Sequence, residues 1–369
     1  GRPDLSFGPG HLLFPGFGDL HVHLRYGQPH KETFQTGVAA ALNGGVTFML
    51  DMPNNPDPPV TPEGIRAKRE AAGDLPVDLD FYAGVGPETR PFEHPFYKAY
   101  VAASIGPLYF ENEGQLEGTL QHYAGRRVTF HCEDPEILRE CAGEPEHEDR
   151  RPPQAEVRAI ETVLRLARRY GFRVHVAHLS TARGLERLRA EPGDKPLCEV
   201  GPHHLYFDRE NRKKAARSGF LKMNPPLRSP RDRQRLLEGF ARGEIDFLAT
   251  DHAPHTVAEK ESDNPSGVPL LDTYGAFVAW LLHQGMPPEH LARHCCLLPG
   301  RFMGRPVGRL SPGFRGHVAV LNLESPWTVR AEDCRTACGW SPFEGETLPG
   351  RVELTVASGR LFRGGLEWT

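Results

Sequence analysis

Short apolar runs alternate with helix-like segments up to residue 251, and this alternation restricts the fold more than any other feature of the chain. We predict eight strands, at 18–25, 46–51, 77–84, 104–110, 126–131, 172–178, 197–200 and 245–251. Strands that alternate with helices form right-handed βαβ units around a parallel sheet. Eight such units in roughly 250 residues are typical of a (β/α)₈ barrel. The sequence therefore predicts an α/β fold of the TIM-barrel type, with a doubly wound open sheet as the competing architecture.

The rest of the chain has a different pattern, which begins near residue 306. Short strand-like runs at 318–321, 352–356 and 361–362 lie between turns that contain glycine and proline. We expect a small β domain here, completed by the first residues of the chain. The predicted organisation is therefore a barrel over 16–305, with 1–15 and 306–369 forming the small β domain.

Histidine and aspartate side chains stand where several predicted strands end. His21 and His23 follow the first strand, and the alternation of side chains puts both on one face. His131, His178 and Asp251 each close another predicted strand, and the C-terminal ends of barrel strands meet at one face. Imidazole and carboxylate are ligands that zinc accepts, and a metal-activated water can attack a carbonyl near neutral pH. The pattern predicts metal-assisted hydrolysis or its reverse, with a carboxylate that moves the proton.

Composition argues against two classes of function. The chain has 44 basic and 48 acidic residues and a net charge of −4, which argues against nucleic acid as the main partner. No apolar run approaches the length of about 18 residues that a membrane span needs. The seven cysteines are scattered without a Cys-x-x-Cys pair, and no secretory signal peptide is recognisable. We therefore expect a cytoplasmic protein without disulfide bonds.

Two long motifs carry a family resemblance. Residues 15–25 read Pro-Gly-Phe-Gly-Asp-Leu-His-Val-His-Leu-Arg, and residues 249–256 read Ala-Thr-Asp-His-Ala-Pro-His-Thr. Shorter motifs lie, in the family's order, at 52–54, 131–134, 178–181, 202–205, 222–228 and 341–345. Together they resemble the dihydroorotases, in the cyclic amidohydrolase group of the amidohydrolase superfamily.

The resemblance implies a role for each of these polar residues. The implied metal ligands are His21, His23, His131, His178 and Asp251, with Asp251 also the general base and acid. The implied substrate contacts are Arg25, Asn54 and His255 to a free carboxylate, and Asn224 to the pyrimidine ring. The implied cofactor is zinc, as one or two ions. The implied reaction is the reversible closure of N-carbamoyl-L-aspartate to L-dihydroorotate in pyrimidine biosynthesis.

The chain also departs from the family pattern at places that bear on the site. Tyr26-Gly27-Gln28 replaces the usual Glu-Pro-Gly, and residues 265–272 replace a glycine-rich loop followed by Glu. Many relatives bridge two metal ions with a carboxylated lysine after the fourth strand, but residues 108–110 offer none. Another branch uses an Asp before a glycine, and Glu113 precedes Gly114 here. We therefore predict Glu113 as a bridging metal ligand, the alternative being one ion and a solvated Glu113.

Two other functions remain open from the sequence. An allantoinase or dihydropyrimidinase would share the metal site, but Arg25 indicates a substrate with a free carboxylate. A catalytically silent subunit that scaffolds aspartate transcarbamoylase would lack metal ligands, whereas all five main ligands are present here. We expect a small-molecule substrate, a homodimer, and aspartate transcarbamoylase as a further protein partner.

Overall fold

Eight parallel strand positions close into a barrel in the computed structural model, which describes residues 5–104 and 106–368. The strands are β1 (His11–Pro15), β2 (Phe17–Val22), β3 (Val46–Asp51), β4 (Asp78–Phe81), β5 (Ala83–Val85), β6 (Tyr97–Tyr100), β7 (Arg127–His131), β8 (Arg173–Val176), β9 (Leu197–Val200), β10 (Phe247–Leu248), β11 (Val318–Asn322), β12 (Trp327–Thr328), β13 (Thr347–Leu348), β14 (Arg351–Ala357), β15 (Arg360–Arg363) and β16 (Leu366–Glu367). The barrel uses β2 to β10, with β4 and β5 sharing the third position on either side of Tyr82. His23 N donates to His252 O at 2.8 Å, which joins the first and last positions. The predicted TIM-type barrel is confirmed, and the open sheet is wrong.

Helices cover the outside of the barrel and connect its strands. They are α1 (Phe34–Asn43), α2 (Pro62–Ala72), α3 (Glu113–Leu120), α4 (Pro135–Glu140), α5 (His147–Arg150), α6 (Pro153–Tyr170), α7 (Ala182–Arg189), α8 (Pro202–Tyr206), α9 (Pro230–Ala241), α10 (Val257–Glu261), α11 (Tyr274–His283), α12 (Pro288–Ala292) and α13 (Leu298–Met303). In α6, Val157, Ile160 and Val163 form a buried apolar stripe, and the helix stops at Gly171, whose φ is 75°. Among the residues described, no helix has the length and apolar character needed to cross a membrane.

The fourth barrel strand is not where the sequence predicted it. Residues Tyr97–Tyr100 form β6 between β5 and β7, whereas the described residues of 104–110 contain no strand. The prediction is wrong because β6 is short and carries a lysine, Lys98, inside its apolar pattern. Lys98 is nevertheless fully buried, on the same face of the strand as Tyr100.

Apolar side chains fill the N-terminal part of the barrel interior. Leu20, Phe48 and Tyr82 are fully buried there and belong to one cluster with Phe302 of α13. The guanidinium of Arg127, at the start of β7, lies 4.9 Å from the centre of the Phe302 ring, so α13 closes this end. Polar side chains are left at the opposite, C-terminal end, where barrel enzymes carry their chemistry.

The two ends of the chain build a separate antiparallel sheet in the order β1-β11-β14-β15-β16. β1 pairs with β11 so that His11 lies opposite Asn322. The sheet contacts the helix layer, since Thr355 Oγ1 donates to Leu42 O at 2.8 Å. The antiparallel sheet that was predicted from the chain ends is confirmed, while the domain boundaries at 15/16 and 305/306 stay a prediction.

Candidate active site

Three predicted metal ligands meet at the C-terminal end of the barrel. His21 lies in β2, His23 follows it directly, and Asp251 comes shortly after β10. The Nε2 atoms of His21 and His23 lie 3.0 and 2.9 Å from the same Asp251 oxygen, Oδ1. One ligand atom from each residue falls within 4.8 Å of the other two, a spacing that fits one bound cation.

Hydrogen bonds from the Nδ1 atoms of His21 and His23 orient the two rings so that their Nε2 atoms face Asp251. His21 Nδ1 donates to Glu199, and His23 Nδ1 donates to Asn54 Oδ1 at 2.6 Å. When Nδ1 carries the only proton of the ring, Nε2 offers a lone pair, and the lone pairs of the two rings then meet a carboxylate oxygen. Electron pairs in this arrangement repel one another unless a cation lies among them. The donor set therefore fits a divalent metal ion.

His131 and His178 form a second ligand pair beside the first. His131 ends β7, His178 follows β8, and His131 Nδ1 lies 3.0 Å from His178 Nε2. The ring centres of His21 and His178 are 5.1 Å apart, so the two groups are neighbours. His131 Nε2 donates to Glu133 Oε2 at 2.8 Å, which leaves Nδ1 as its lone-pair nitrogen. Two groups of ligands thus stand side by side, as a two-ion site requires.

Two buried glutamates that the sequence analysis did not single out hold these histidines. Glu133 lies between His131 and the Arg151 guanidinium, whose Nε donates to it at 3.0 Å, and Glu199 of β9 accepts from His21. Burial alone would raise the pKa of each carboxyl, but the neighbouring guanidinium and imidazole groups outweigh it and lower both pKa values far below the usual range. Such carboxylates orient metal-binding imidazoles. A glutamate inside a buried strand was the available signal for Glu199.

The electrostatics of the site keep Asp251 ionised. Burial alone would raise its pKa, but His21, His23 and His178 outweigh it and lower the pKa well below the ordinary value. Burial lowers the pKa of His23 to about 4 and also lowers the pKa values of His131 and His178, so these rings are neutral near pH 7. His21 is the exception, because nearby carboxylates outweigh its burial and raise its pKa. The site therefore attracts positive charge.

Lys98 is a functional candidate that the sequence analysis missed. It lies in β6, two residues before Tyr100, which lines the pocket described below. In the part of the chain that the structure describes, its buried Nζ has no hydrogen-bond partner. Burial lowers the pKa of Lys98 to about 8, although Glu199 and Asp251 act in the opposite direction. The sequence signal for Lys98 was a lysine inside a short apolar run. It was overlooked because the fourth strand was predicted at 104–110 instead of 97–100.

Arg25 and His255 form a cationic end of the site. Arg25 Nε donates to Pro254 O at 3.1 Å, and its Nη2 donates to His255 Nε2 at 3.1 Å. Lys31 Nζ lies 3.3 Å from His255 Nδ1. Burial, with the charges of Arg25 and Lys31, lowers the pKa of His255 to about 2, so its ring is neutral. Arg25 is buried, and no carboxylate of the described chain forms an ion pair with it.

A pocket joins the two ligand groups to Arg25. It is lined by His21, His23, Arg25, Asn54, Tyr100, Ser104, His131, His178, Asn224, Asp251, Ala253, Ser266 and Gly267. Asn224 Nδ2 donates to Ser104 Oγ at 3.3 Å, and its buried Oδ1 has no partner among the described residues. The structure thus brings the predicted site residues together around one pocket, except for His255 and Glu113. His255 lies behind Arg25 and does not line the pocket, and Glu113 lies elsewhere.

Glu113 lies away from this pocket. It begins α3, its side chain is 50% exposed, and its Oε1 pairs with Arg165 Nη2 at 2.8 Å. It lines a different cleft, together with Asp134 and Arg158. This placement contradicts the predicted bridging role, because Glu113 opens a surface helix instead of closing a barrel strand.

Three residues of the site adopt the left-handed backbone conformation. The φ angles are 55° at Arg25, 36° at His178 and 49° at Asp251. Residues other than glycine rarely adopt such angles, which cost roughly 1–3 kcal/mol each and cluster at functional sites. The surrounding barrel supplies the free energy that keeps these three side chains in the pocket.

Comparison with known proteins agrees with the chemistry of this pocket. Residues 12–362 match the model of the Amidohydrolase family. The chain is 35% identical over 363 residues to the dihydroorotase of Thermococcus kodakarensis, covering 96% of this chain and 84% of that protein. It is 32% identical over 356 residues to the dihydroorotase of Pyrococcus furiosus, covering 95% of this chain and 81% of that protein.

Solved structures share the architecture. An L-hydantoinase (dihydropyrimidinase) from Arthrobacter aurescens matches with a TM-score of 0.89 at 26% identity, covering 98% of this chain and 87% of that one. A D-hydantoinase (dihydropyrimidinase) from a Thermus species matches with a TM-score of 0.84 at 23% identity, covering 99% and 90%, and this likeness concerns the fold alone. The family model, the relatives and the barrel site agree. The chain belongs to the amidohydrolase family.

Proposed function

We propose that the chain is a dihydroorotase, a hydrolase that interconverts L-dihydroorotate and N-carbamoyl-L-aspartate in pyrimidine biosynthesis. The observation that carries this function is the buried Arg25 guanidinium beside His255, which has no carboxylate partner among the described residues and lies in the same pocket as the histidine and aspartate side chains. A buried planar fork of donors needs an anion, and a carboxylate matches its geometry. L-Dihydroorotate carries a carboxylate on a ring whose cyclic amide bond can be opened. Named relatives over most of the chain support the same reaction.

The residues of the pocket divide the reaction into binding and proton transfer. Arg25 and Asn54, which line the pocket, would hold the substrate carboxylate with His255 behind Arg25, and the Asn224 amide would pair with the ring amide. Ionised Asp251 would accept a proton from the attacking water. As the ring C–N bond breaks, the same proton passes from Asp251 to the leaving nitrogen. Ring closure uses these steps in reverse.

We propose zinc as the metal, because the ligand set combines imidazole and carboxylate. His21, His23 and Asp251 would hold one ion, and His131 with His178 would hold a second. When bound, zinc supplies an activated water and polarises the substrate carbonyl. The arrangement supports this proposal because His21, His23 and Asp251 bring ligand atoms within 4.8 Å of one another, with His131 and His178 beside them.

We propose Lys98, instead of Glu113, as the source of an anion between the two ions. The lysine amine would add CO₂ and release one proton, which yields a carbamate with one negative charge. Two neighbouring divalent ions repel each other, so an anion between them is required. The buried position of Lys98 beside Tyr100 and its Nζ without a partner, within the described chain, support the assignment.

Steady-state hydrolysis of dihydroorotate by zinc-loaded protein tests the function. We expect dihydroorotate to be preferred at least about tenfold over dihydrouracil, which lacks the carboxylate, since a charge-assisted contact is worth about 1.5–3 kcal/mol. Hydantoin and allantoin serve as further controls. Faster turnover of dihydrouracil or allantoin would favour another cyclic amidohydrolase. Metal-loaded protein without turnover of any of them would favour the silent subunit.

Labelled bicarbonate tests the role of Lys98. After metal is reloaded in ¹³C-bicarbonate, we expect a carbamate carbon signal and two zinc ions per chain in the parent protein. Lys98→Ala should lose the signal and one ion, whereas a change of the exposed Lys195 to Ala should alter neither. A carbamate signal that persists in Lys98→Ala would contradict the assignment.

We also propose a cytoplasmic location and a homodimer, with aspartate transcarbamoylase as a further partner. The seven cysteines support a reducing compartment, because all are free and five are buried. The dimer and the transcarbamoylase follow from the family resemblance. Sedimentation of the protein alone, and mixed with a transcarbamoylase, tests both.

A further inference from the structure

Lys260 is a second buried lysine near the pocket, and its ammonium group has no anionic partner among the residues that the structure describes. It lies in α10, shortly after His255, and is only 2% exposed. Its Nζ donates to Pro265 O at 2.8 Å and to Gly267 O at 3.3 Å. Burial, and to a smaller extent the charge of Lys222, lowers the pKa of Lys260 to about 7. Burying an ammonium against neutral carbonyls is costly, so the position of Lys260 needs a functional explanation.

The two carbonyls flank Ser266, which belongs to the pocket. Ser266 and Gly267 both line it, and a Cβ built on Gly267 would lie 3.1 Å from Cδ2 of the His255 ring. Lys260 therefore holds the peptide groups on either side of the point where this segment meets the carboxylate-binding end. The segment belongs to the loop in which the sequence departs from the family pattern.

Gly267 shows how tightly this segment is pressed against the end of the barrel. Its φ is 142°, and a Cβ built there would lie 2.5 Å from Ala253 O. Its N–H donates to Lys222 O at 2.8 Å, and Ala253 N donates to Val268 O at 2.9 Å. A backbone approach this close leaves no room for a side chain, so the carbonyls of the segment have a fixed direction.

Trp340 connects Lys260 to the other side of His255. The Lys260 Nζ lies 5.7 Å from the centre of the Trp340 ring, a cation–π contact. Trp340 is fully buried, and its Nε1 donates to His255 O at 2.7 Å. One ammonium group thus contacts both supports of His255, the 265–267 segment and the indole ring.

We propose that Lys260 is a positioning residue for the substrate, which fixes the 265–267 segment so that its backbone and His255 meet the substrate beside Arg25. The identity of the substrate rests on the proposed function, whereas the fixing of the segment does not. Lys260 has no role in proton transfer. Its removal should therefore weaken substrate binding and leave the chemical step intact.

Kinetics of Lys260→Met tests this role, with the exposed Lys213→Met as the matched control. For hydrolysis of dihydroorotate we expect KM to rise about tenfold and kcat to stay within about twofold, the pattern that follows loss of ground-state binding. Zinc content should not change. We expect parental constants in Lys213→Met. A lower kcat with unchanged KM and less zinc would indicate general damage and would overturn the proposal.

Hydrogen exchange of the substrate-free protein provides the second readout. Amides of 264–268 should exchange faster in Lys260→Met than in the parent, while those of β7 and β8 should not change. The unfolding temperature should not fall, since the variant removes a buried charge without an anionic partner. Unchanged exchange overturns the proposal. If the parent does not hydrolyse dihydroorotate, the proposed function fails, and exchange alone decides whether Lys260 holds the segment.

Discussion

The two ends of the pocket differ in how their buried polar groups are satisfied. At the histidine end, Lys98 Nζ and His178 Nδ1 are buried and have no hydrogen-bond partner within the residues that the structure covers. At the arginine end the supporting groups are paired. Lys68 is as buried as Lys98, but its Nζ lies 2.7 Å from an Asp51 oxygen and donates to two further oxygens at 2.8 Å.

The paired lysine explains how the arginine end is held. Asp51 Oδ1 accepts from Leu24 N at 2.7 Å, so the ion pair of Lys68 and Asp51 fixes the backbone next to Arg25. Asn54 follows three residues after Asp51, in the turn to which Lys68 also donates. The arginine end is therefore organised before substrate arrives, whereas the histidine end keeps buried polar atoms without a partner among the described residues.

Asp251→Asn should have the largest effect, because it disables the histidine end and leaves the arginine end intact. The amide keeps an oxygen for the metal but cannot carry the proton. General acid–base help is worth ~10²–10⁴-fold, so kcat for dihydroorotate should fall by that factor with little change in KM. Steady-state kinetics with zinc analysis checks this, and near-parental turnover would refute the assignment of Asp251.

Lys68→Met and Lys98→Met form a matched pair that tests the comparison through stability. Lys68→Met leaves Asp51 buried and unpaired, which should lower the free energy of unfolding by about 3–5 kcal/mol. Lys98→Met removes an amine that has no partner among the described residues, so the metal-free protein should be as stable as the parent or more stable. Urea unfolding of metal-free proteins measures both. If both variants lost the same free energy of unfolding, the two lysines would not differ as we infer.

Arg25→Ala should weaken the arginine end by a smaller amount. Loss of a charge-assisted contact to the substrate carboxylate should cost about 1.5–3 kcal/mol in kcat/KM, and Arg25→Lys should restore only part of it. Dihydrouracil lacks the carboxylate and should be hydrolysed equally by parent and variant. The full penalty with dihydrouracil would show that Arg25 acts on something else.

Glu113→Ala should have the smallest effect, since Glu113 belongs to neither end. Its pair with Arg165 is half exposed, and such pairs contribute about 0–1 kcal/mol. Zinc content and kcat should match the parent within error. A loss of one ion per chain would restore Glu113 as the bridging ligand.

Local patterns were sufficient to predict the residues that end strands. His21 and His23 share a face because side chains alternate, and His131 and Asp251 follow apolar runs that are visible in the sequence. The alternation of strands and helices was likewise sufficient to predict the barrel fold. These features depend on residues that are near one another in the chain.

Long-range pairing is what the sequence could not reveal. Glu199 supports His21 from 178 residues away, and no local pattern couples the two. Lys98 was missed because a strand of four residues with a central lysine does not resemble a buried strand, although the barrel buries it completely. That error moved the expected bridging anion to Glu113, where the chain forms a surface helix.

The pairing of β1 with β11 has a consequence for how the molecule is completed during translation. The strands lie about 300 residues apart, and at roughly 5–20 residues per second some 15–60 s pass between their synthesis. Trp340, which holds His255, emerges later still. A nascent chain therefore contains His21, His131, His178 and Asp251 before it can pair β1, the strand that precedes His21, with β11. Between the synthesis of α13 and that of β11, the barrel would have all its strands while β1 still lacks its partner.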